Sequence, residues 1–413
     1  MNLTTEKFSG IEFSKHLCDF RNGKKIDWKS LKKSNLDVSK IYHLIADDFY
    51  HMYLMRTGQV TDDENFKNYF FDFYGNNFTS KKLKKISSVY EKKSDIMRFC
   101  NRELLFGVKK GHSYDDKKLL WCHSCRDRYC ALCQHKTSRV LAYRTSKIMN
   151  VINKRYDNIS FIFLTLTVRN VKRNGLELKD LIKKMNSAYH KMLNYSAFTG
   201  KGRRNSSCEK QIIKGTMKKI EITYNRKSGE FHPHFHVLLA VDSEYFLPKY
   251  FINQKRWVEI WKKAMGLSYD PYVYVESVSS SSKHLNSIDA AAYEITKYVT
   301  KSKDIIGNSD MTNWESKSVL FALNNLKGMR FYSFTGLFKQ VKLELFGNNE
   351  EMSNSELINA DGISKDSSND YVLFTYLWSF KEDDYLIWNN NQNFLSIYWD
   401  WRKNRCKNRC KSA

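Results

Sequence analysis

Two stretches decide the fold of this chain: "GTMKKIEITYN" (residues 215–225) and "EFHPHFHVLLAV" (residues 230–241). Polar and apolar residues alternate in both, and a polar turn containing Gly229 separates them. Alternation puts successive side chains on opposite faces of a strand, so the pair is predicted to form an antiparallel β-hairpin. One face of the second strand would carry His232, His234 and His236, and its other face would be apolar.

If Glu221 is placed opposite His234, the turn of this hairpin has a plausible length and Lys219 lies opposite His236. Directly opposed side chains have Cβ atoms about 5 Å apart. Glu221, His234 and His236 are therefore predicted to converge on one metal ion and to leave coordination positions open, which is typical of catalytic sites. His232 is interpreted as a surface residue at the start of the strand, where Pro233 indicates irregular or edge pairing.

Strands and helices alternate around the hairpin. "SFIFLTLTV" (160–168) predicts a strand with an apolar face that contains Leu164 and Leu166, and with Thr165 and Thr167 on its other face. Helices are predicted at 136–150, 176–195, 254–265 and 287–301, and a further strand at 272–278. This order predicts an α+β domain.

The charge of the chain points to nucleic acid. Its 413 residues carry 69 Lys and Arg against 44 Asp and Glu, a formal net charge of +25. Such an excess favours a polyanionic partner, DNA or RNA first and an anionic membrane surface second. No apolar run approaches the ~20 residues of a membrane span, and the first residues lack a signal-peptide pattern. We therefore expect a cytoplasmic protein, with no membrane partner.

Nine cysteines in a cytoplasmic chain indicate thiols or metal ligands rather than disulfides. "CHSCRDRYCALC" places Cys122, Cys125, Cys130 and Cys133 in two C-x-x-C pairs. Four thiolates suffice for a structural zinc ion, and an iron–sulfur cluster is the less favoured interpretation. The element would present Arg126, Arg128 and Lys136 to DNA. Cys406 and Cys410, in the basic tail, are predicted to lie among solvated charges.

The predicted helix 287–301 carries a second candidate group. Glu294 and Tyr298 lie one helical turn apart, and Lys297 and Lys301 project toward solvent or substrate. A phenol can attack a phosphodiester if a metal polarises the phosphate and a basic surface delivers the DNA. The sequence predicts all three requirements: the phenol, the metal site and the basic surface.

Together these motifs carry a resemblance. "FLTLTV" (163–168), "IEITYN" (220–225) with "FHPHFHVLLAV" (231–241), and "YEITKYVTK" (293–301) occur in this order, flanked by "CRDRYCALCQ" (125–134) and "GMRFYSFTGLFK" (328–339). The set resembles the rolling-circle plasmid replication initiators of the HUH endonuclease superfamily, in the group with one tyrosine and a nearby glutamate. The resemblance covers residues 98–345.

The resemblance implies roles for the residues of the site. His234 and His236 would be the paired ligands of Mg or Mn, with Glu221 as the third ligand. Tyr298 would be the nucleophile and Glu294 the general base that activates water in termination. Thr165 and Thr167 would support the site or contact DNA.

The family pattern also bears on the zinc site, because it matches Cys125, Cys130 and Cys133 together with an earlier cysteine. Cys100 and Cys122 therefore compete for the fourth position, and His123 is a third option.

The fold that the resemblance implies is a central antiparallel β-sheet with helices packed on one face, an RRM-like palm. A small zinc-binding element and mainly helical flanking regions would accompany it. The predicted division is an N-terminal region (1–95) that is a candidate for DNA binding, a Cys-rich element with a basic helix (96–150) and a nickase domain (151–345). A flexible acidic linker (346–370) and an aromatic segment with a basic tail (371–413) would follow.

The activity that the resemblance implies is replication initiation. The protein would bind a double-strand origin of plasmid DNA and nick one strand at a single-stranded hairpin loop through a 5′-phosphotyrosine. A host helicase and DNA polymerase would act next, since no Gly-rich loop ending in Lys-Ser or Lys-Thr indicates an ATPase. The alternatives are a conjugative relaxase or HUH transposase, a non-catalytic zinc-containing DNA-binding regulator, and a metallohydrolase, which the charge disfavours.

Overall fold

The computed structural model describes residues 20–21, 24–25, 27–112, 118–172, 175–195, 211–279, 287–296, 302–307, 314–347 and 371–389. The helices within them are α1 (Trp28–Arg56), α2 (Glu64–Tyr74), α3 (Ser80–Arg98), α4 (Ala131–Arg155), α5 (Gly175–Leu193), α6 (Gln254–Met265), α7 (Ile288–Thr296), α8 (Ser302–Ile306), α9 (Trp314–Asn324) and α10 (Gly336–Phe346). No helix among these residues is long and apolar enough to cross a membrane.

The strands of the same residues form three antiparallel sheets. They are β1 (Phe20–Arg21), β2 (Lys24–Lys25), β3 (Glu103–Lys109), β4 (Lys118–Cys122), β5 (Ile159–Thr167), β6 (Val171–Lys172), β7 (Ile213–Asn225), β8 (Glu230–Asp242), β9 (Val273–Ser277), β10 (Tyr332–Thr335), β11 (Tyr371–Ser379) and β12 (Asp384–Asn389).

The chain divides into two compact units. The first unit comprises Met1–Leu36, Ile96–Cys133 and Met352–Ala413, and the second comprises Asp37–Asp95 and Gln134–Glu351. The five-part division predicted from the sequence stays a prediction. Of the predicted linker and tail, residues 348–370 and 390–413, including Cys406 and Cys410, lie outside the described residues.

The first unit is built on a four-stranded sheet in the order β12-β11-β3-β4. Phe106 of β3 and Tyr376 of β11 pack edge to face, with ring centroids 5.4 Å apart. Trp378 and Tyr385 make a second such pair across β11 and β12. The first pair therefore joins two segments that lie far apart in sequence, and the second joins the two strands of one hairpin. Each edge-to-face pair adds about 1 kcal/mol beyond the burial of its area.

Polar residues occupy buried positions in the first turns of helix α1. Lys32 and Asn35 are fully buried. The Lys32 ammonium donates to the carbonyl oxygens of Arg98 and Cys100, and the Asn35 amide donates to that of Met97. These bonds satisfy the polar groups that burial would otherwise leave without water.

The second unit contains a six-stranded sheet in the order β10-β7-β8-β5-β9, with β6 paired to β8. The hairpin of β7 and β8 has the predicted register, with Glu221 opposite His234 and Lys219 opposite His236. Strand β5 pairs with the other side of β8 and places Thr165 opposite His236. The expected α+β fold with a central antiparallel sheet is confirmed.

One face of this sheet is covered by α5 and α6. Phe235 of β8 packs against Tyr189 of α5 and Trp261 of α6. The ammonium of Lys218 lies over the rings of Tyr189 and Phe235, 4.6 Å from each centroid. The indole of Trp261 donates to the carbonyl oxygen of Thr167, which anchors α6 to β5.

The other face, here called the histidine face, carries Glu221, His234 and His236. Beyond these residues along the strands, it continues into an apolar core that α4, α7 and α10 cover. The sheet contributes six buried residues to this core: Ile159, Phe161, Phe163, Met217, Leu238 and Ala240. Helices were expected on one face of the sheet, and a second group of helices packs on the other face as well. They leave uncovered the polar part of the histidine face, which contains the site.

Helices α1, α2, α3 and α9 form a further aromatic layer in the second unit. Phe49 packs against Phe70 and Phe321, and the layer encloses an ion pair. Asp48 and Lys317 approach to 2.8 Å with side chains 11% and 7% exposed, and the Tyr74 hydroxyl donates to the same carboxylate. The buried charge is therefore both paired and hydrogen-bonded, as burial of a charge requires.

Two glycines allow α10 to approach the sheet. Gly215 of β7 and Gly336 at the start of α10 form an isolated bridge. A Cβ on Gly336 would lie 2.7 Å from the Gly215 Cα and closer still to the Lys214 carbonyl oxygen, and its φ is +52°. Both the contact and the left-handed conformation therefore require glycine at position 336.

We expect Gly336→Ala to lower the unfolding free energy by about 3 kcal/mol, because it adds a steric clash to the cost of a positive φ. Gly266→Ala is the matched control, since Gly266 also has a left-handed conformation (φ +65°, ψ +47°) but has no atom within 4 Å of its added Cβ. It should cost about 1 kcal/mol. Equal losses of stability for the two variants, measured by chemical denaturation, would contradict the close approach.

Candidate functional site

The predicted ligand set comes together on the histidine face. The Glu221 Oε2 atom lies 2.9 Å from His236 Nε2 and 3.4 Å from His234 Nε2. One ligand atom from each of the three residues lies within 4.8 Å of the others. The three side chains are only 12–14% exposed. The hairpin register therefore brings Glu221 close to His234 and His236, which lie 13 and 15 positions away in the sequence.

The other ring nitrogens orient the two imidazoles. The Nδ1 atom of His234 lies 3.3 Å from the His232 carbonyl oxygen, which can only accept a hydrogen bond, so Nδ1 carries the proton. The Nδ1 atom of His236 lies 3.2 Å from the Thr165 hydroxyl. Partners of this kind fix the tautomer of metal-binding histidines and leave Nε2 as the ligand.

Burial and charge prepare the group for a cation. Burial lowers the pKa of His236, so its imidazole is neutral at neutral pH. Burial raises the pKa of Glu221, but hydrogen bonds with His234 and His236 outweigh that effect and hold it well below its usual range. An ionised carboxylate and neutral imidazoles are the forms that bind a metal.

The spacing of the donors fits a single ion. Two donors about 2.1 Å from one ion at right angles are about 3 Å apart, close to the observed Glu221–His236 and Glu221–His234 distances. Three donors leave positions open for substrate. A mixed nitrogen and oxygen set suits Mn²⁺, and Mg²⁺ is held by such sites together with substrate phosphate oxygens.

Sequence reasoning gave no role to the residues of β9 that share this face. Tyr274 lies opposite Thr165, and its hydroxyl donates to Glu276 at 2.6 Å. This hydrogen bond raises the pKa of Tyr274 to about 12. Its phenol therefore stays protonated near neutral pH and is a poor nucleophile. Tyr274 and Glu276 are two positions apart in "YVYVES" (272–277), a spacing that predicts side chains on one face of a strand.

Helix α7 packs against the same face through Ala291, Ala292 and Ile295. Glu294 of α7 is half-buried. Tyr298, Lys297 and Lys301 lie outside the described residues. Their predicted roles stay predictions, as does that of Glu294. Thr165 and Thr167 lie opposite His236 and His234, as expected of supporting residues.

The cysteine group lies in the first unit. Its four members are Cys100, Cys125, Cys130 and Cys133. The sulfur of Cys133 lies 3.6 Å from those of Cys100 and Cys125. The Cys130 and Cys100 sulfurs are also 3.6 Å apart. Four thiolates about 2.3 Å from a zinc ion have sulfurs about 3.8 Å apart, so the group fits tetrahedral zinc.

The fourth position of this group, left open by the sequence, belongs to Cys100. Cys122 is buried on β4 opposite Leu104 and does not belong to the group, nor does the His123 ring. The Cys100 sulfur also accepts from the Cys125 backbone amide at 3.3 Å. Burial raises the pKa of the Cys130 thiol well above its usual value, so binding of zinc requires the release of protons.

Two neighbours fix the backbone around Cys100. The fully buried ammonium of Lys32 donates to the Cys100 carbonyl oxygen at 2.5 Å. The Tyr385 hydroxyl of β12 donates to the Asn101 carbonyl oxygen at 2.6 Å, and Asn101 has a φ of 50°. An N-terminal helix and a C-terminal hairpin therefore hold the turn that positions Cys100.

The predicted DNA-binding residues of this region differ in exposure. Arg126 is exposed with a φ of 57°, and Arg128 is half-buried. Lys136 is only 3% exposed. The expectation that Lys136 is presented to DNA is therefore wrong, because its ammonium is enclosed by the protein. Whether Arg126 and Arg128 bind DNA stays a prediction.

Comparison with known proteins identifies the family. The family model described as Replication protein matches residues 116–386. The chain therefore belongs to the Replication protein family. This membership confirms the resemblance to rolling-circle plasmid replication initiators that the motifs carried.

Individual relatives agree with the family model. A protein named Protein rep from Bacillus sp is 32% identical over 271 residues, which cover 62% of this chain and 81% of the relative. Protein rep from Lentilactobacillus hilgardii is 32% identical over 302 residues, which cover 72% of this chain and 88% of the relative. Protein rep from Staphylococcus aureus is 34% identical over 220 residues, covering 53% and 86%. No solved structure matches the chain.

We expect His234→Ala to weaken Mn²⁺ binding by about 100-fold, because it removes a ligand rather than an outer partner. His232→Ala is the matched control. It removes the adjacent histidine of the same face but leaves the backbone carbonyl that orients His234, so Mn²⁺ binding should change less than about 3-fold. Isothermal titration without DNA measures both affinities, and similar losses in the two variants would exclude the three-residue ligand set.

We expect the protein to retain about one tightly bound zinc ion per chain and Cys100→Ser to lose it, because three thiolates bind zinc more weakly than four. Cys122→Ser should keep it. Elemental analysis of the purified proteins measures the zinc content. Loss of zinc from Cys122→Ser alone would assign the fourth position to Cys122.

Proposed function

We propose that this chain is a plasmid rolling-circle replication initiator that acts as a metal-dependent DNA nickase. The observation that carries the proposal is the convergence of Glu221, His234 and His236 on one face, with open positions for substrate. Membership of the Replication protein family and a net charge of +25 favour DNA as that substrate. A bacterial cytoplasm is the proposed location, since the relatives come from bacteria.

The proposed reaction begins at a double-strand origin of plasmid DNA, where a hairpin loop exposes a single strand. Mg²⁺ or Mn²⁺, when bound by Glu221, His234 and His236, would polarise the scissile phosphate. The phenol oxygen of Tyr298 attacks phosphorus, and the bond from phosphorus to the 3′ oxygen breaks. The phenol proton leaves to solvent or a base, and the 3′ oxygen takes up a proton. The products are a 5′-phosphotyrosine and a free 3′-OH.

The geometry of the described residues suits this division of labour. Thr165 and the His232 carbonyl hold the imidazoles with Nε2 toward the ion. Helix α7 packs on the core beside this group, and its last described residue, Thr296, is two positions before Tyr298 in the sequence. A nucleophile close in sequence to a helix that packs on the same face as the ligands could reach a phosphate held there.

Glu294 has the proposed role in termination. Acting as a general base, its carboxylate takes a proton from water, the water oxygen attacks the phosphate in the final cleavage, and the bond from phosphorus to the 3′ oxygen breaks as that oxygen takes up a proton. That step leaves no second covalent adduct. The freed 3′-OH then attacks the phosphotyrosine, the bond from phosphorus to the Tyr298 oxygen breaks, and a closed circle is released. A host DNA polymerase extends the 3′-OH and a host helicase unwinds the duplex in this scheme.

The cysteine group has the proposed role of a structural zinc site. It would fix the loop between β4 and α4, including Arg126 and Arg128, against the sheet of the first unit. Exposed arginine favours contact with phosphate groups of the origin. The zinc would act on folding rather than on the chemistry of cleavage, because its four thiolates leave no open position.

We expect wild-type protein with Mn²⁺ to nick a supercoiled plasmid carrying the origin and to remain covalently attached to the 5′ end. Tyr298→Phe should form no adduct, because it lacks the attacking oxygen. Tyr293→Phe is the matched control, since Tyr293 is an exposed tyrosine of the same helical segment. Denaturing gels of labelled DNA measure the adduct. An adduct formed by Tyr298→Phe, or lost only in Tyr293→Phe, would contradict the assignment of the nucleophile.

A further inference from the structure

Tyr272 is an exposed aromatic residue at the edge of the six-stranded sheet. It directly precedes β9, and its carbonyl oxygen accepts from the Thr167 amide at 3.2 Å and from the Thr167 hydroxyl at 2.7 Å. Thr167 in turn lies opposite His234. The strand order β8-β5-β9 therefore puts His234, Thr167 and Tyr272 in one row across the sheet. Because Tyr272 is two positions before Tyr274, its side chain lies on the histidine face.

The ring of Tyr272 is open to solvent beside a site whose ligands are nearly enclosed. Its exposure is 64%, the highest of the large apolar and aromatic side chains in the part of the chain that the structure describes. Tyr274, the next residue along the same face, is half-buried, and its hydroxyl donates to Glu276. Aromatic side chains on the open face of a sheet stack with the bases of single-stranded nucleic acids in other folds. Tyr272 has the exposure and the position for such a contact.

The row across the strands sets the distance from this ring to the proposed ion. Neighbouring strands are about 4.8 Å apart, so the backbone of Tyr272 lies about 10 Å from that of His234. Both side chains project from the same face. A phosphate in the open coordination positions beside His234 therefore has its flanking nucleotides within reach of the Tyr272 ring.

A cation lies at the same end of the sheet. Arg169 is exposed and follows Thr167, the last residue of β5, by two positions. Its guanidinium carbon lies 3.9 Å from the ring centroid of Tyr269, and its backbone N–H donates to the Tyr269 hydroxyl at 2.8 Å. The ring covers one face of the guanidinium, whereas the N–H donors lie in its plane and can contact a phosphate. The adjacent acid, Asp270, is paired with Lys262 at 2.7 Å.

We propose that Tyr272 and Arg169 form a strand subsite, in which Tyr272 stacks on the base of a nucleotide that flanks the scissile phosphate and Arg169 binds a phosphate of the same strand. This inference rests on the proposed nickase function. It assigns single-stranded DNA to this edge of the sheet, because the bases of a duplex are already stacked on each other and present no open face to the ring.

The first test measures binding of a fluorescent single-stranded oligonucleotide that spans the cleavage position, in EDTA so that the strand stays intact. We expect Tyr272→Leu to weaken binding about 10-fold and Tyr272→Phe, which keeps the ring, to bind within about 3-fold of wild type. Phe251→Leu is the matched control, since Phe251 is 53% exposed and follows the other end of β8. It should bind like wild type. Equal binding by Tyr272→Leu and wild type overturns the inference.

Removal of single bases identifies what the ring contacts. An abasic site at one of the two positions flanking the scissile phosphate should weaken binding to wild type about 10-fold, and binding to Tyr272→Leu less than about 3-fold. Equal losses in the two proteins overturn the stacking contact.

Salt dependence tests the phosphate contact. For Arg169→Gln the slope of log affinity against log salt concentration should fall by about 0.7, the value of one phosphate contact in a single strand. Tyr272→Leu should leave this slope unchanged. An unchanged slope for Arg169→Gln overturns the role of Arg169.

Cleavage separates this inference from the proposed function. With Mn²⁺, Tyr272→Leu should need about 10-fold more oligonucleotide for half-maximal adduct formation. Its rate at saturation should stay within about 3-fold of wild type, because stacking holds substrate and transition state alike. Absence of any adduct with wild-type protein refutes the proposed function. A normal adduct together with unchanged half-saturation in Tyr272→Leu refutes the strand subsite alone.

Discussion

The pairing of β7 with β8 is the constraint on which the site depends. Glu221 lies opposite His234, so one carboxylate oxygen reaches both imidazoles. A slip of one residue would turn Glu221 to the other face, where Phe235 packs against α5 and α6. The apolar residues that bury the sheet on both sides therefore also fix the ligand geometry. Fold stability and site assembly come from the same alternation of side chains.

Each of the two candidate metal groups is supported by hydrogen bonds from other residues of its own unit. In the second unit, the imidazoles are oriented by Thr165 on β5 and by the His232 carbonyl. In the first unit, the loop at Cys100 is held by Lys32 and, through Asn101, by Tyr385. The open group suits chemistry on a bound phosphate, and the closed cysteine group suits a structural role.

The sequence predicted the register of the β7–β8 hairpin correctly, because the hairpin is local. Alternation and a short turn determine which of its side chains oppose each other, and helix α6 was predicted at its observed bounds, 254–265. Contacts between distant segments were not predictable in the same way. In helix α1, the polar residues Lys32 and Asn35 occupy buried positions and so interrupt the apolar pattern of its buried face. Their carbonyl acceptors belong to residues 97–100. The pairing of β11 with β3 joins residues more than 260 positions apart. Neither leaves a periodic signal in the chain.

The central proposal is that Glu221, His234 and His236 hold a single divalent ion on the face that would receive DNA. Anomalous X-ray scattering from crystals grown with Mn²⁺ tests this claim most directly. We predict one manganese peak about 2.2 Å from His234 Nε2, His236 Nε2 and a Glu221 oxygen. Absence of a peak at these atoms, with Mn²⁺ bound elsewhere in the chain, would contradict the claim.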